Sequence, residues 1–379
     1  MYWLALRMLV GDRGKFLGLV FGITFSTLLM SQQVSVFIGI MRRTASQIID
    51  VRDADIWVMD GKTRHIDEAP GIPDTDLMRV RGQPGVAWAV GLYKGQARAR
   101  LADGNVRMVI LQGLDDPSLA GAPADMLAGE LGDLRRPNGV VIDKSGYQYM
   151  WPGEPLELGR EFEMNERRAV LVGICKSTPP FVTLPVVYTK YSEALRYVPR
   201  ERHLMNYILV HVAEGQDAAA VADQIGRATG LLALTKRGFI AMTVLYFLRS
   251  TGIPVNFSIT ILLGFIVGAA VAGQTFYLFT VENLKQFGAL KAIGVRNGRL
   301  VRMILLQAVC VGLLGYGIGV GCSALFFDWT NAVPHLAGLH LSWYVLAGTA
   351  AAVLLIVAFA ALLSIRRVLV LEPAAVFRA

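Results

Sequence analysis

The chain is expected to be an α-helical membrane protein: four transmembrane helices, one plus three, with a large α+β extracytoplasmic domain between the first and second. Three observations carry this. Residues 16–41, 250–281, 303–327 and 329–365 contain no Asp, Glu, Lys or Arg, and each stretch exceeds the ~20 mostly apolar residues a bilayer-spanning helix needs. Residues 42–249 are polar and patterned like a folded domain. Charge is also sorted by segment. The 42–249 region holds 26 basic and 25 acidic residues, so most of the net charge of +8 sits in short strips beside the spans.

Those strips set the orientation. Arg7, Arg13 and Lys15 lie in 1–15, Lys285, Lys291, Arg296, Arg299 and Arg302 in 282–302, and Arg366, Arg367 and Arg378 in 366–379. Short basic loops stay in the cytoplasm, so both termini and the 282–302 loop are expected there. The 42–249 domain and the 328–342 loop are then placed outside. A pI near 9.5 reflects this topology, and no nucleic-acid partner is expected.

The first span, 16–41, has an apolar core longer than a signal peptide's. Ile38-Gly-Ile-Met-Arg-Arg43 offers no small-x-small cleavage site, so it reads as a retained anchor. The domain that follows alternates like a set of strands at 55–59, 96–101, 106–112, 140–143, 156–158, 169–174, 186–188 and 205–212. Asp103-Gly104-Asn105 supplies a hairpin turn between the second and third of these. An Ala-rich helix is expected over 217–229, and a second over 236–249 as a stalk that Gly252-Ile-Pro254 interrupts before the bilayer. Two subdomains are expected in 42–249.

The domain shows little catalytic chemistry of its own. Gly61-Lys62-Thr63 looks like the end of a phosphate-binding loop, but Ile56 stands where that loop needs its first glycine. His65, His203, His211, His335 and His340 lack metal-ligand spacing, so no metal is expected. Cys175 is the one thiol of the domain and reads as a core residue; Ser145, in Lys-Ser-Gly, is no nucleophile elbow. With no charge inside any span, a proton- or ion-driven transporter is disfavoured. The energy source is expected to lie on another protein.

The spans end in 250–281, 303–327 and 343–365. Gly264 and Gly268 in the second, and the pairs Gly315/Gly319 and Gly317/Gly321 in the third, have the small-xxx-small spacing that lets helices approach closely. Either packing within one subunit or a dimer seam would use such faces. Between these spans, 282–293 reads as a short helix, Gly294 as its stop and Asn297 as the cap of the next helix. Such a segment could take a push from a soluble partner or rest on anionic lipid.

The string Phe287-Gly-Ala-Leu-Lys-Ala-Ile-Gly294, followed by Arg296, Arg299 and Leu300, resembles the coupling-helix signature of the MacB/FtsX-type ABC permeases. The tail Leu371-Glu-Pro-Ala-Ala-Val-Phe-Arg378 resembles that family's closing motif. The start, Leu6-Arg-Met-Leu-Val-Gly-Asp-Arg-Gly-Lys-Phe16, and Glu282-Asn-Leu-Lys-Gln-Phe287 are similar to its DevC-like subgroup. Val295 and Arg296 depart from the usual pattern. The resemblance implies an inner-membrane permease subunit of an export system, not an enzyme. It would lack ATPase motifs and bind no cofactor, while ATP would be used by a separate cytoplasmic ABC ATPase. A homodimer would move its periplasmic domain by mechanotransmission, working with a membrane-fusion protein and an outer-membrane duct. An FtsX-like regulator of a wall hydrolase and a LolC/LolE-like lipoprotein-extraction permease share the architecture. The resemblance also assigns ATPase coupling to Glu282, Phe287, Leu290, Lys291, Ile293, Gly294 and Arg299. Phe287 and Leu290 would fill a groove on the ATPase, Lys291 would meet its acidic rim, and Phe287→Ala would uncouple the two proteins without disturbing insertion.

Overall fold

A computed structural model describes residues 2–198, 204–331, 333 and 338–370. The closing motif at 371–378, His203 and His335 lie outside the described residues. Two compact units are present: 1–39, 252–331 and 339–379 form one, and 40–251 with 332–338 form the other.

The chain opens with α1 (Tyr2–Gly11) and the long α2 (Arg13–Thr44), the first of four helices long and apolar enough to cross a membrane. With no water to take up N–H and C=O groups, an apolar stretch of this length satisfies its backbone only as a helix. The second unit follows. It comprises α3 (Ser46–Ile49), β1 (Ile56–Met59), β2 (Ile72–Pro73), α4 (Asp74–Arg81), β3 (Val86–Arg100), β4 (Val106–Leu114), β5 (Asp125–Ala128) and β6 (Gly139–Asp143). After these come α5 (Lys144–Met150), β7 (Glu161–Met164), β8 (Arg167–Lys176), β9 (Val186–Lys190), α6 (Tyr191–Tyr197), β10 (Leu204–Met205) and β11 (Tyr207–Val212). It closes with α7 (Ala218–Thr229), β12 (Leu232–Thr235) and α8 (Lys236–Ser250).

Two subdomains share one strand, the fifteen-residue β3. Its first half joins the antiparallel sheet β12-β1-β11-β3. One face of that sheet packs Ile56, Val58, Ile208 and Val210 with Val80 of α4 and Val221 and Ile225 of α7. The second half of β3 continues through β4, β9, β6 and β8, and β7 pairs with both β3 and β8, closing a ring of six strands. Tyr93, Ala97, Val109, Leu111, Ile142, Phe162, Met164 and Leu171 form the core of that ring.

The hairpin turn forms where the sequence places it. Gly104 takes φ +82°, and Asp103 accepts from the Asn105 backbone at 2.9 Å. Asp217 caps α7 through the N–H groups of Ala219 and Ala220, and left-handed Gly230 ends it. Cys175 is buried, and burial pushes its thiol up, away from reactivity. Residues 156–158 are not a strand. The Tyr147 hydroxyl donates to Pro155 O at 2.6 Å and accepts from Glu157 N at 3.1 Å, taking backbone groups a ladder would have used.

Asp143 is buried at the end of β6, where its carboxylate accepts from Val186 N at 2.7 Å and Gly146 N at 2.8 Å. Desolvation outweighs these bonds and pushes its pKa up to about 6. Because the folded pKa lies above the unfolded one, the native state holds the extra proton between about pH 4 and 6. The Asp143 contribution to stability therefore falls as pH rises through that window. In thermal melts between pH 4 and 7, Asp143→Asn is expected to remove this part of the pH dependence. It should also melt lower throughout, since an amide cannot accept from both N–H groups.

The first unit is completed by α9 (Ile253–Glu282), α10 (Leu284–Ala292), α11 (Asn297–Asn331) and α12 (Trp343–Val370). Pro254 sits in the first turn of α9, where its missing N–H costs nothing. Leu19 and Ile23 of α2, Phe276 of α9, Ala308 and Val311 of α11 and Val357 of α12 share one apolar cluster. Glycines set the closest approaches. A Cβ on Gly315 would stand 2.7 Å from Ile23 Cβ, and one on Gly319 would stand 2.6 Å from Thr27 Cβ. Gly264 meets Leu29 and Gly268 meets Ser26, whose hydroxyl donates to Gly264 O at 2.9 Å. Gly317 and Gly321 meet nothing within 4 Å. Gly319→Ala is thus expected to cost about 1–3 kcal/mol through the forced shift of α2, while Gly317→Ala stays within about 0.5 kcal/mol. Melting temperatures of the two solubilised variants check this.

Candidate functional site

The loop between α9 and α11 is short, and every turn of it is fixed. α9 ends at Glu282, where the Asn283 side chain donates to Phe279 O at 2.8 Å. The Asn283 carbonyl then accepts from Phe287 N at 3.1 Å and starts α10. A helix of nine residues is too short to hold itself in water; side-chain burial must hold it. Phe287 supplies that burial at 0% exposure, in the cluster that contains Phe279, Leu300, Met303 and Val368, with Leu284 and Leu290 packed against it.

The C-terminus of α10 is a Schellman motif. Val295 N donates to Leu290 O and Gly294 N to Lys291 O, both at 3.0 Å, with Gly294 at φ +90°. Val295 and Leu290 both border the apolar cluster, the hydrophobic contact this motif commonly carries. Nothing lies within 4 Å of a Cβ built on Gly294, so glycine is required there by backbone conformation and not by space. α11 then begins at Asn297 itself, one residue earlier than a cap at 297 would allow.

Polar contacts tie the segment to neighbouring helices. Lys15, near the start of α2, is paired with Glu282, and its ammonium lies 2.7 Å from Asp12. Lys291 Nζ donates to Leu369 O at 3.0 Å, near the end of α12. Gln307 of α11, fully buried, donates to Ala5 O of α1 at 2.8 Å.

The structure therefore divides the expected coupling residues. Glu282, Phe287, Leu290 and Lys291 face or bind the chain's own helices. Ile293 is 82% exposed, and Gly294 and Arg299 are exposed with it. Phe287, expected to fill a groove on another protein, has its ring fully buried among the chain's own helices. Sequence spacing obscured this: steps of three residues each turn the helix by about −60° relative to a common face, so Phe287 and Ile293 diverge by about 120°. The outward surface is an apolar Ile293 among exposed Lys285, Arg296 and Arg299. Lys285 and Arg296 were not among the residues assigned to coupling, although Arg296 stands in the coupling-helix signature. Among the described residues no group of three His, Cys, Asp or Glu could hold a metal.

Four apolar helices, a three-helix block joined by a fixed turn, and an α+β domain between the first two helices define a multi-pass membrane protein with a large external domain. Comparison with known proteins makes this specific. The MacB-like periplasmic core domain model matches residues 16–228, and the FtsX-like permease C-terminal model matches 257–373. The chain belongs to the MacB/FtsX-type ABC transporter permeases. An uncharacterized ABC transporter permease of Mycobacterium tuberculosis is 25% identical over 368 residues, covering 95% of this chain and 93% of that one. The macrolide export ATP-binding/permease protein MacB of Agrobacterium fabrum is 27% identical over 199 residues, 49% of this chain and 30% of that protein. The periplasmic region of MacB from Actinobacillus actinomycetemcomitans aligns with a TM-score of 0.40 and 14% identity, over 54% of this chain and 96% of that one. The external domain is thus a MacB-like periplasmic domain, the chain is a transport subunit, and a permease of this class implies a partner ATPase.

Proposed function

We propose that this chain is the permease subunit of an export system driven by an ABC ATPase. A separate cytoplasmic ABC ATPase would dock on the 282–302 segment. The observation that carries this reading is that Ile293, Lys285, Arg296 and Arg299 are all exposed on one segment whose turn Phe287 and the Gly294 stop hold in place. An apolar residue left 82% exposed at the end of a helix, on a segment with exposed cations, suits an apolar groove with an acidic rim.

A push on that turn reaches several helices at once. Phe287 belongs to the same cluster as α1, α9, α11 and α12, and Lys291 holds the end of α12. ATP-driven closure would therefore move the bundle as a body and drive the periplasmic domain by mechanotransmission, with no substrate passing between the spans. Both termini lie in the cytoplasm and the membrane is the bacterial inner membrane. The working form is a homodimer that engages a membrane-fusion protein and an outer-membrane duct.

Capture of the tagged chain from native membranes in mild detergent, followed by mass spectrometry, tests the partner set. An ABC ATPase with a fusion protein is the expected recovery. An ATPase with a wall hydrolase and no fusion protein would replace export by regulation, and no ATPase in repeated trials would remove the coupling role.

A further inference from the structure

The periplasmic unit holds a cleft of about 530 Å³ unrelated to the coupling segment, within the size range of small-ligand sites. Its charged lining is Arg42, Arg52, Lys144 and Lys176 against Asp50 and Asp125. The acids are already engaged. Asp125 pairs with Arg52 at 3.1 Å, and Asp50 accepts from Thr178 N at 2.7 Å and from the Thr178 hydroxyl at 3.1 Å. Arg42, Lys144 and Lys176 have no carboxylate within ion-pair distance among the described residues. Three cations from three different elements, the last turn of α2, the start of α5 and the end of β8, thus converge on one concavity. A cleft lined mainly by one sign of charge focuses its field on an incoming counter-ion. Burial raises the Asp50 carboxyl pKa even with Thr178, Arg42 and Arg52 acting the other way.

Arg42 is the first charged residue after the apolar 16–41 stretch and continues the same helix.

We infer that this cleft binds a compact oxyanion, a phosphate or carboxylate group, presented either free or as the headgroup of a membrane amphiphile. Ser145, also in the lining, would supply a hydroxyl donor beside the cations.

The test uses the full chain in detergent and two probes, monomeric dihexanoyl phosphatidylglycerol and inorganic pyrophosphate, with dihexanoyl phosphatidylcholine as the zwitterionic control, whose phosphate charge is offset by its choline. Binding is followed by calorimetry at low and high salt. Wild type is expected to bind the anionic lipid saturably, at least tenfold more weakly in 0.5 M salt. Lys144→Glu/Lys176→Glu, both at exposed positions, is expected to lose at least tenfold in affinity, while the exposed Lys62→Glu, outside the cleft, binds as wild type. Binding of pyrophosphate as well as the lipid supports a free oxyanion as ligand; binding of the lipid alone supports a headgroup. Equal binding of phosphatidylcholine, equal loss in Lys62→Glu, or no saturable binding of either anion would overturn the assignment.

Discussion

Phe287→Ala is expected to lower the stability of the membrane unit by about 3 kcal/mol, through lost contacts and the cavity left behind. The ring is fully buried, and α10 is too short to persist without it. Loss of ATPase stimulation should accompany the drop in melting temperature, because the turn itself loosens. Phe287→Leu, which keeps most of the volume, should recover most of both. A variant with native melting behaviour and no stimulation would instead mean that the ring meets the ATPase directly, as the family resemblance implied.

Ile293→Asp is expected to do the opposite. The side chain is exposed and lies past the last turn of α10, so melting temperature should stay within about a degree of wild type. Stimulation of the partner ATPase should fall roughly thirtyfold at sub-saturating permease. That is the effect of losing about 2 kcal/mol from an anchoring contact and adding a charge to an apolar groove. Arg299→Glu should weaken the same association in a salt-dependent way. If Ile293→Asp stimulates normally, the exposed apolar residue is not the anchor, and the docking surface lies elsewhere.

The two variants separate what the sequence made legible from what it did not. The four spans were readable because charge is absent over long stretches and bilayer thickness permits only a helix there. The Asp103–Asn105 turn and the Gly294 stop were readable because each depends on one residue's local chemistry. The ring of six strands was not. It is closed by β7, a four-residue strand with Glu at two of its positions, which forms a hairpin with β8 but reaches β3, far away in sequence. Leu156-Glu157-Leu158 alternates like a strand, yet a tyrosine hydroxyl takes its backbone groups, and nothing local announces that. The inward turn of Phe287 was hidden for a related reason. An amphipathic pattern gives an apolar face but does not say whether its partner is another helix of the same chain or a second protein. Arg42, Lys144 and Lys176 are 102 and 32 residues apart in turn, and only the fold brings them to one cleft.

The most direct test of the coupling claim is site-specific photocrosslinking in native membranes, with benzoylphenylalanine placed in turn at positions 285, 293 and 287. Adducts with an ABC ATPase at 285 and 293, and only intramolecular adducts at 287, are the expected result. Adducts with the ATPase at 287, or with lipid alone at 285 and 293, would contradict it.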